Sequence, residues 1–202
     1  MKSKIRLFKN VKDITFNEMR GNIFFVTGLS GSGKSYLSRE LASDYNAKIF
    51  QPEWLIHYKH CDERFKSFLD DFIDKYNIRS YVGAKWNNVK NEDDNEELRK
   101  YINLLVQEFI DARNDNEKYI IEGLQLFTLI DYNLIKDYYI IIKGTSSVNS
   151  LKNRIKRDYL KRKDYKLIDK VKWFIKVLKQ SRTYQFKHRR KLNKFIDNYG
   201  GM

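Results

Sequence analysis

The chain has 202 residues, of which 42% are hydrophobic and 15% aromatic, enough apolar material for one packed core and too much for a globally disordered protein. A single cysteine excludes a disulfide framework and a thiolate zinc cluster, and no apolar run approaches the roughly 18 residues that a membrane span requires. The net charge of +14 sits at one end: residues 143–202 hold 19 Lys+Arg against 4 Asp+Glu, whereas residues 1–142 hold 21 against 22. A basic block of this kind suits polyanions such as nucleotide phosphates, a nucleic-acid backbone or an anionic membrane surface.

Met1 to Asn10 lacks the apolar stretch of a signal peptide, so a reduced, cytoplasmic protein with no membrane partner is expected. Asn22 to Thr27 is a short apolar run ending in glycines, which predicts a strand buried on both faces. Ser35 to Tyr45 reads as a helix with Leu37 and Leu41 on one face, and Ala47 to Phe50 as a second strand. After Pro52, the spacing of Phe65, Phe68, Leu69, Phe72, Ile73 and Tyr76 predicts an amphipathic helix over Arg64 to Tyr76. Asn77 to Glu97 is polar and ends in an acidic cluster, Glu92, Asp93, Asp94, Glu96 and Glu97, which predicts a loop. Leu98, Tyr101, Ile102, Leu105, Phe109 and Ile110 then mark another helix, and Tyr119 to Ile121 and Tyr138 to Ile142 two more buried strands. From Ser146 onward the pattern is helical, with Leu167, Val171, Phe174 and Leu178 recurring at three and four. Strands alternating with helices predict an α/β fold with a central parallel sheet in three layers. One domain over 1–202 is expected, with a core at about 20–145 and a basic lid and C-terminal helices at about 146–198.

Gly28-Leu29-Ser30-Gly31-Ser32-Gly33-Lys34-Ser35 fits G-x-x-x-x-G-K-[ST] in full, between a predicted buried strand and a predicted helix. The glycines leave room for backbone N–H groups to turn inward around a phosphate, Lys34 neutralises the β- and γ-phosphates, and Ser35 offers a hydroxyl to Mg²⁺. ATP or GTP with Mg²⁺ is therefore the expected ligand, held by Gly28 to Ser35 and the adjoining Tyr36. Glu122, closing an apolar strand before Gly123, would stand at the carboxyl edge of the sheet and hold Mg²⁺ through a water. Arg154, Arg157 and Lys161 share one face of a predicted helix, a cationic stripe suited to the charge that spreads over a transferring phosphoryl group.

Ile120-Ile121-Glu122-Gly123-Leu124, Asp131, Asp137-Tyr138-Tyr139, the run Asn153-Arg154-Ile155-Lys156-Arg157-Asp158 and Lys161-Arg162 resemble the uridine kinase family in order and spacing. The glycine loop is similar to that family and also to adenylylsulfate kinases and zeta toxins. The resemblance implies a P-loop NTPase-type fold and an ATP-dependent kinase acting on a hydroxyl, with Arg154, Arg157 and Arg162 as lid arginines. It also implies that Glu53 is the base receiving the acceptor's proton, although the family carries Asp followed by Ser-Phe-Tyr where this chain reads Glu53-Trp54-Leu55. Asp62 and Glu63 are weaker candidates for that role.

Three functions are open at this point. The first is phosphorylation of a nucleoside or similar small molecule, the second a polynucleotide or modified-base kinase using residues 143–202 as its nucleic-acid surface. The third is an ATP-binding regulatory module with little turnover. His57, His60 and Cys61 lie close enough together to suggest a metal, but a structural zinc site wants four ligands at defined spacing and the sequence offers no second cluster. Trp54, Tyr81 and Trp86 are candidates for stacking on a base, with core packing the commoner role for such residues. The helical stretch from Tyr165 to Gln180 and the Lys187 to Lys194 segment have no assigned role.

Overall fold

Five strands form one parallel sheet in the order β1-β5-β2-β4-β3, taking β1 as Ile5–Phe8, β2 as Ile23–Thr27, β3 as Ala47–Phe50, β4 as Lys118–Glu122 and β5 as Tyr139–Lys143. The computed structural model describes residues 5–8, 22–80, 82, 95–160 and 167–199. Helix α1 (Lys34–Tyr45) carries the chain from β2 out to β3, α2 (Lys66–Lys75) and α3 (Glu96–Ala112) bring it back to β4, and the next connection crosses β2 to reach β5. That last connection holds the short helices α4 (Gln125–Thr128) and α5 (Tyr132–Ile135). The strand order therefore turns around at β2, and in an open α/β sheet the crevice beyond the carboxyl ends at such a turn is where ligands bind.

The registers Val26 opposite Glu122, Thr27 opposite Ile142 and Phe50 opposite Ile121 bring the carboxyl ends of β2, β4, β5 and β3 to one edge. Alternation of side chains across the sheet builds two cores. Phe24, Val26, Ile120 and Ile141 pack with Leu37 and Leu41 of α1 on one face. Ile23, Phe25, Ile121 and Ile140 pack on the other face with α2, α3 and the C-terminal helix, so the architecture is three-layered α/β. Phe50 anchors this second core, stacked on Phe109 with ring centroids 3.9 Å apart and an interplanar angle of 4°. Helix α1 ends at Asn46, whose φ of 52° lets its N–H reach the Ala42 carbonyl.

Several boundaries differ from the sequence expectation. The helix predicted from Arg64 opens as a 3₁₀ turn, Glu63–Phe65, and becomes α-helical only at Lys66. Glu96 and Glu97, assigned to a loop, form the first turn of α3, where Asn95 accepts the Leu98 N–H at 2.9 Å and acidic side chains suit the helix dipole. The rest of the predicted loop lies mostly outside the described residues. β1 was not expected: an edge strand of four residues gives too short a pattern to read. The basic end forms two helices, α6 (Ser147–Leu160) and α7 (Leu167–Tyr199). In the second half of α7 His188, Leu192 and Phe195 are buried, while Val171, Phe174 and Leu178 in the first half are 50%, 41% and 37% exposed. No described helix is long and apolar enough to cross a membrane.

Candidate functional site

The loop from Gly28 to Gly33 leaves β2 and enters α1, as the strand and helix patterns on either side of it require. Gly28, Gly31 and Gly33 all have positive φ, 153°, 84° and 89°, conformations that cost a side-chain-bearing residue strain. The Ser32 N–H closes a turn onto the Leu29 carbonyl at 3.0 Å, and the Tyr36 and Leu37 N–H groups share the Gly33 carbonyl at 3.1 and 3.0 Å. The amides of Lys34 and Ser35, at the very start of α1, have no intrahelical partner by the geometry of a helix end, and the dipole there favours an anion. Lys34 is half-buried and forms no hydrogen bond or ion pair among the described residues. Leu29 is 2% exposed and packs in the core, so only its backbone faces the loop, whereas the Tyr36 side chain is turned to solvent. The Tyr36 hydroxyl is raised above its ordinary pKa by its hydrogen bond to Glu40.

Gly28 also lies against the end of β5. A Cβ there would stand 2.7 Å from the Lys143 carbonyl oxygen and 2.8 Å from Ser32 Oγ. Gly28→Ala is expected to open the contact between the loop and β5, lowering the thermal midpoint by several degrees and weakening nucleotide binding at least tenfold. Thermal denaturation with and without ATP would measure both; an unchanged midpoint would show that the loop tolerates the side chain.

Glu122 lies at the exit of β4 with 3% exposure. Ser35 Oγ donates to its Oε1 at 2.6 Å and Gln51 Nε2 donates to its Oε2 at 3.0 Å. Among the described residues no cation pairs with this carboxylate. A buried carboxylate held by two neutral donors still calls for a positive charge, and a hydroxyl beside a carboxylate is a hard-oxygen pair. Mg²⁺ typically takes one or two such protein ligands and fills its shell with phosphate oxygens and water, so the donor set at Ser35 and Glu122 fits it. Thr27 Oγ1 donates to the Gly123 carbonyl at 2.7 Å, and the Gly123 N–H reaches Val26 at 3.1 Å, fixing the β4 exit to β2.

Glu53 sits on a 3₁₀ turn, Pro52–Leu55, directly after β3 and two residues beyond Gln51. Its carbonyl accepts the N–H groups of Ile56 and His57, both at 2.9 Å, and its half-buried carboxylate forms no hydrogen bond among the described residues. The two weaker candidates are occupied elsewhere. Asp62 accepts from the Arg64 backbone and guanidinium, which holds its carboxyl below the ordinary range, and Glu63 pairs with Lys66 at 2.9 Å.

Helix α6 lies on the glycine loop: Ser150 Oγ donates to the Ser30 carbonyl, and Asn153 Nδ2 donates to the Gly31 carbonyl at 3.2 Å. Sequence reasoning gave neither residue a role, because no motif marks a side chain that acts on a backbone carbonyl. Arg154 and Arg157 are carried on this same helix, but their side chains, and all of Arg162, lie outside the described residues, as do Tyr81 and Trp86. Trp54 is a core residue, edge-on to Phe50 at 5.6 Å. His57 and His60 have ring centroids 6.3 Å apart, and no group of three metal-ligating side chains occurs among the described residues. Burial and the neighbouring Asp62 push the Cys61 thiol up to about 11, so it stays protonated and is a poor ligand at neutral pH.

Beside the loop, Leu29, Lys143, Thr145, Asn149, Arg189 and Asn193 line a concavity of about 530 Å³. A second, of about 420 Å³, follows the Glu53 turn and is lined by Ile56, His57, Tyr58, Lys59 and Arg79. β5 and β3 stand on opposite sides of β2, so the two concavities open from opposite sides of the cradle strand.

No family model matches the chain, and no curated protein matches it. Among solved structures, the chain is similar to TT1252 from Thermus thermophilus, with 11% identity, 85% of each chain covered and a TM-score of 0.43. It is also similar to an uncharacterized protein from Eubacterium ventriosum ATCC 27560, with 13% identity, 82% of this chain and 78% of the other covered, and a TM-score of 0.39.

Proposed function

We propose that this chain is a P-loop kinase of the cytoplasm that transfers the γ-phosphoryl group of Mg·ATP to a hydroxyl of a nucleoside or similar small molecule. The observation that carries the reading is the buried Glu122 carboxylate bonded to Ser35 Oγ, where the glycine loop enters α1. A carboxylate without a cationic partner, beside a hydroxyl and beneath unpaired helix-start amides, is the donor arrangement that a metal-bound polyphosphate completes.

In this reading the amides from Gly31 to Ser35 hold the β-phosphate, and Lys34 supplies positive charge to the β- and γ-phosphates. The metal, when bound, neutralises the charge that develops on the phosphates. The concavity beside Leu29, Lys143 and Asn149 receives the base of the nucleotide, with Asn149 and Asn193 as its hydrogen-bonding groups and Leu192 as an apolar wall. The acceptor enters from the β3 side. Its hydroxyl oxygen forms the new bond to phosphorus as the bond to the ADP oxygen breaks, and its proton passes to the Glu53 carboxylate. Ser150 and Asn153 dock α6 on the loop, and in this reading Arg154 and Arg157 of that helix oppose the transition-state charge.

A polynucleotide acceptor is the second reading, favoured by the 19 Lys+Arg against 4 Asp+Glu in residues 143–202. Transfer of the γ-phosphate from ATP, followed by mass shift of the acceptor across a panel of nucleosides and of DNA and RNA oligonucleotides, separates the two. A phosphorylated nucleoside supports the first reading. Phosphate on oligonucleotides alone, with activity that falls steeply as salt rises, supports the second. Transfer to neither overturns both and leaves an ATP-binding module. With the active acceptor in hand, Glu53→Gln is expected to lower kcat by about 10²–10⁴-fold with little change in the KM for ATP. A loss below threefold would remove Glu53 as the base.

A further inference from the structure

Gln125 is the first residue of α4, two positions past Gly123 at the exit of β4. β4 lies between β2, which carries the phosphate cradle, and β3, which carries Glu53 on its following turn, so Gln125 follows the strand between the two. The side chain is 5% exposed, and its carbonyl oxygen Oε1 is buried and accepts no hydrogen bond among the described residues. The amide folds back over the end of β4: a Cβ on Gly123 would meet Gln125 Oε1 at 2.7 Å. Gly123 thus leaves the space in which this amide lies.

Successive side chains alternate across a strand, so Glu122 points to the face of α1 and Ser35, and the Gly123 position points to the face of α2 and α3. The 3₁₀ turn of Glu53 packs on that second face through Trp54 and Leu55, both in the same core as Phe127 of α4. The amide is therefore on the face of the second core, opposite the face of Ser35 and Glu122. A buried amide oxygen left without a donor is destabilising, and native structures retain such groups where a ligand completes them. The terminal χ3 torsion of a glutamine is broad, so the amide can turn without moving the backbone.

We infer that the Gln125 side-chain amide binds the phosphate acceptor, its Oε1 accepting a hydrogen bond from an O–H or N–H of that molecule. This rests on the kinase reading above. It adds that the acceptor presents a second donor besides the hydroxyl that is phosphorylated, as the vicinal diol or base of a nucleoside does and a simple alcohol does not.

The test uses Gln125→Met, which keeps the length of the side chain without its polar atoms, and Gln125→Leu as a second variant, in the full chain. In each, the KM for the phosphorylated nucleoside is expected to rise about tenfold while the KM for ATP stays within twofold, the split that a merely structural residue would not produce. The ligand-free protein is expected to gain about 2–4 °C in thermal midpoint, since the unpaired oxygen is gone. An unchanged acceptor KM overturns the inference whatever the midpoint does. A fall in the midpoint of both variants overturns it too, because the oxygen is then satisfied within the fold by buried water. If wild-type protein phosphorylates no member of the panel, the kinase reading itself has failed, a result separate from a variant that matches an active wild type.

Discussion

Lys34→Ala is expected to abolish phosphoryl transfer while leaving the fold as it was: a fall of about 10³-fold in kcat/KM, with a thermal midpoint within about 2 °C of the wild type. The two halves of that expectation have one cause. Lys34 forms no hydrogen bond or ion pair among the described residues, so its ammonium adds nothing to the native state that its removal would take away. Its position at the start of α1, one residue before the Ser35 hydroxyl that reaches Glu122, leaves it with a phosphate as its natural partner. Charge placed in advance where negative charge accumulates is among the largest contributions to phosphoryl transfer, and the backbone amides alone do not replace it. Steady-state kinetics and a thermal melt on the same preparation measure both halves. A loss below tenfold would mean that the loop's amides suffice or that the loop does not hold the triphosphate. A loss of activity together with a large fall in the midpoint would make Lys34 a structural residue.

The largest effect on stability is expected at Phe50. It is fully buried at the end of β3, stacked on Phe109 at 3.9 Å and surrounded edge-on by Trp54 and Phe65 at 5.6 Å and Phe68 at 6.0 Å. Phe50→Ala removes the ring that joins the sheet, the Glu53 turn, α2 and α3, and aromatic neighbours packed from several elements do not collapse into the space. The expected cost is about 3–5 kcal/mol, a large share of the roughly 5–15 kcal/mol that holds a domain folded. At about 2–4 °C per kcal/mol for a chain of this size, the midpoint should fall by about 6–20 °C. Urea titration with an unchanged m-value would assign the loss to native packing; Phe50→Leu should lose less than half as much. A cost under 1 kcal/mol for the alanine variant would show that this aromatic cluster is not the keystone of the second core. Because Gln51 and Glu53 follow Phe50 directly, activity is expected to fall further than the loss of folded protein explains.

The sequence by itself determined the cradle and most of the elements. A glycine loop of fixed spacing needs no partner to be read: its positive φ angles, its buried strand and its helix are local consequences of Gly28 to Ser35 and their neighbours. Continuous apolar runs likewise marked β2, β4 and β5, because a strand covered on both faces repeats Phe and Ile with little interruption, whereas β3, an edge strand, was read from the short stretch Ala47 to Phe50. Glu122 was legible as the residue closing such a run. Other features were decided only by the tertiary structure. β1 is a four-residue edge strand whose pattern is too short to register alone; its place is defined by pairing with β5. Gln51 holding Glu122, and Ser150 and Asn153 holding the loop, join residues far apart in the chain, and no local pattern records such contacts. Glu53 was preferred to Asp62 and Glu63 from the sequence, but that Arg64 and Lys66 engage those two and leave the Glu53 carboxylate without a partner among the described residues is visible only in the fold. The aromatic spacing after Pro52 announced a buried helix face but not that Trp54 packs edge-on to Phe50 in the same core. Local spacing encodes what one segment does with its own backbone, whereas the grouping of Ser35, Gln51 and Glu122 is assembled from the exits of several strands, and their order exists only once the sheet has formed.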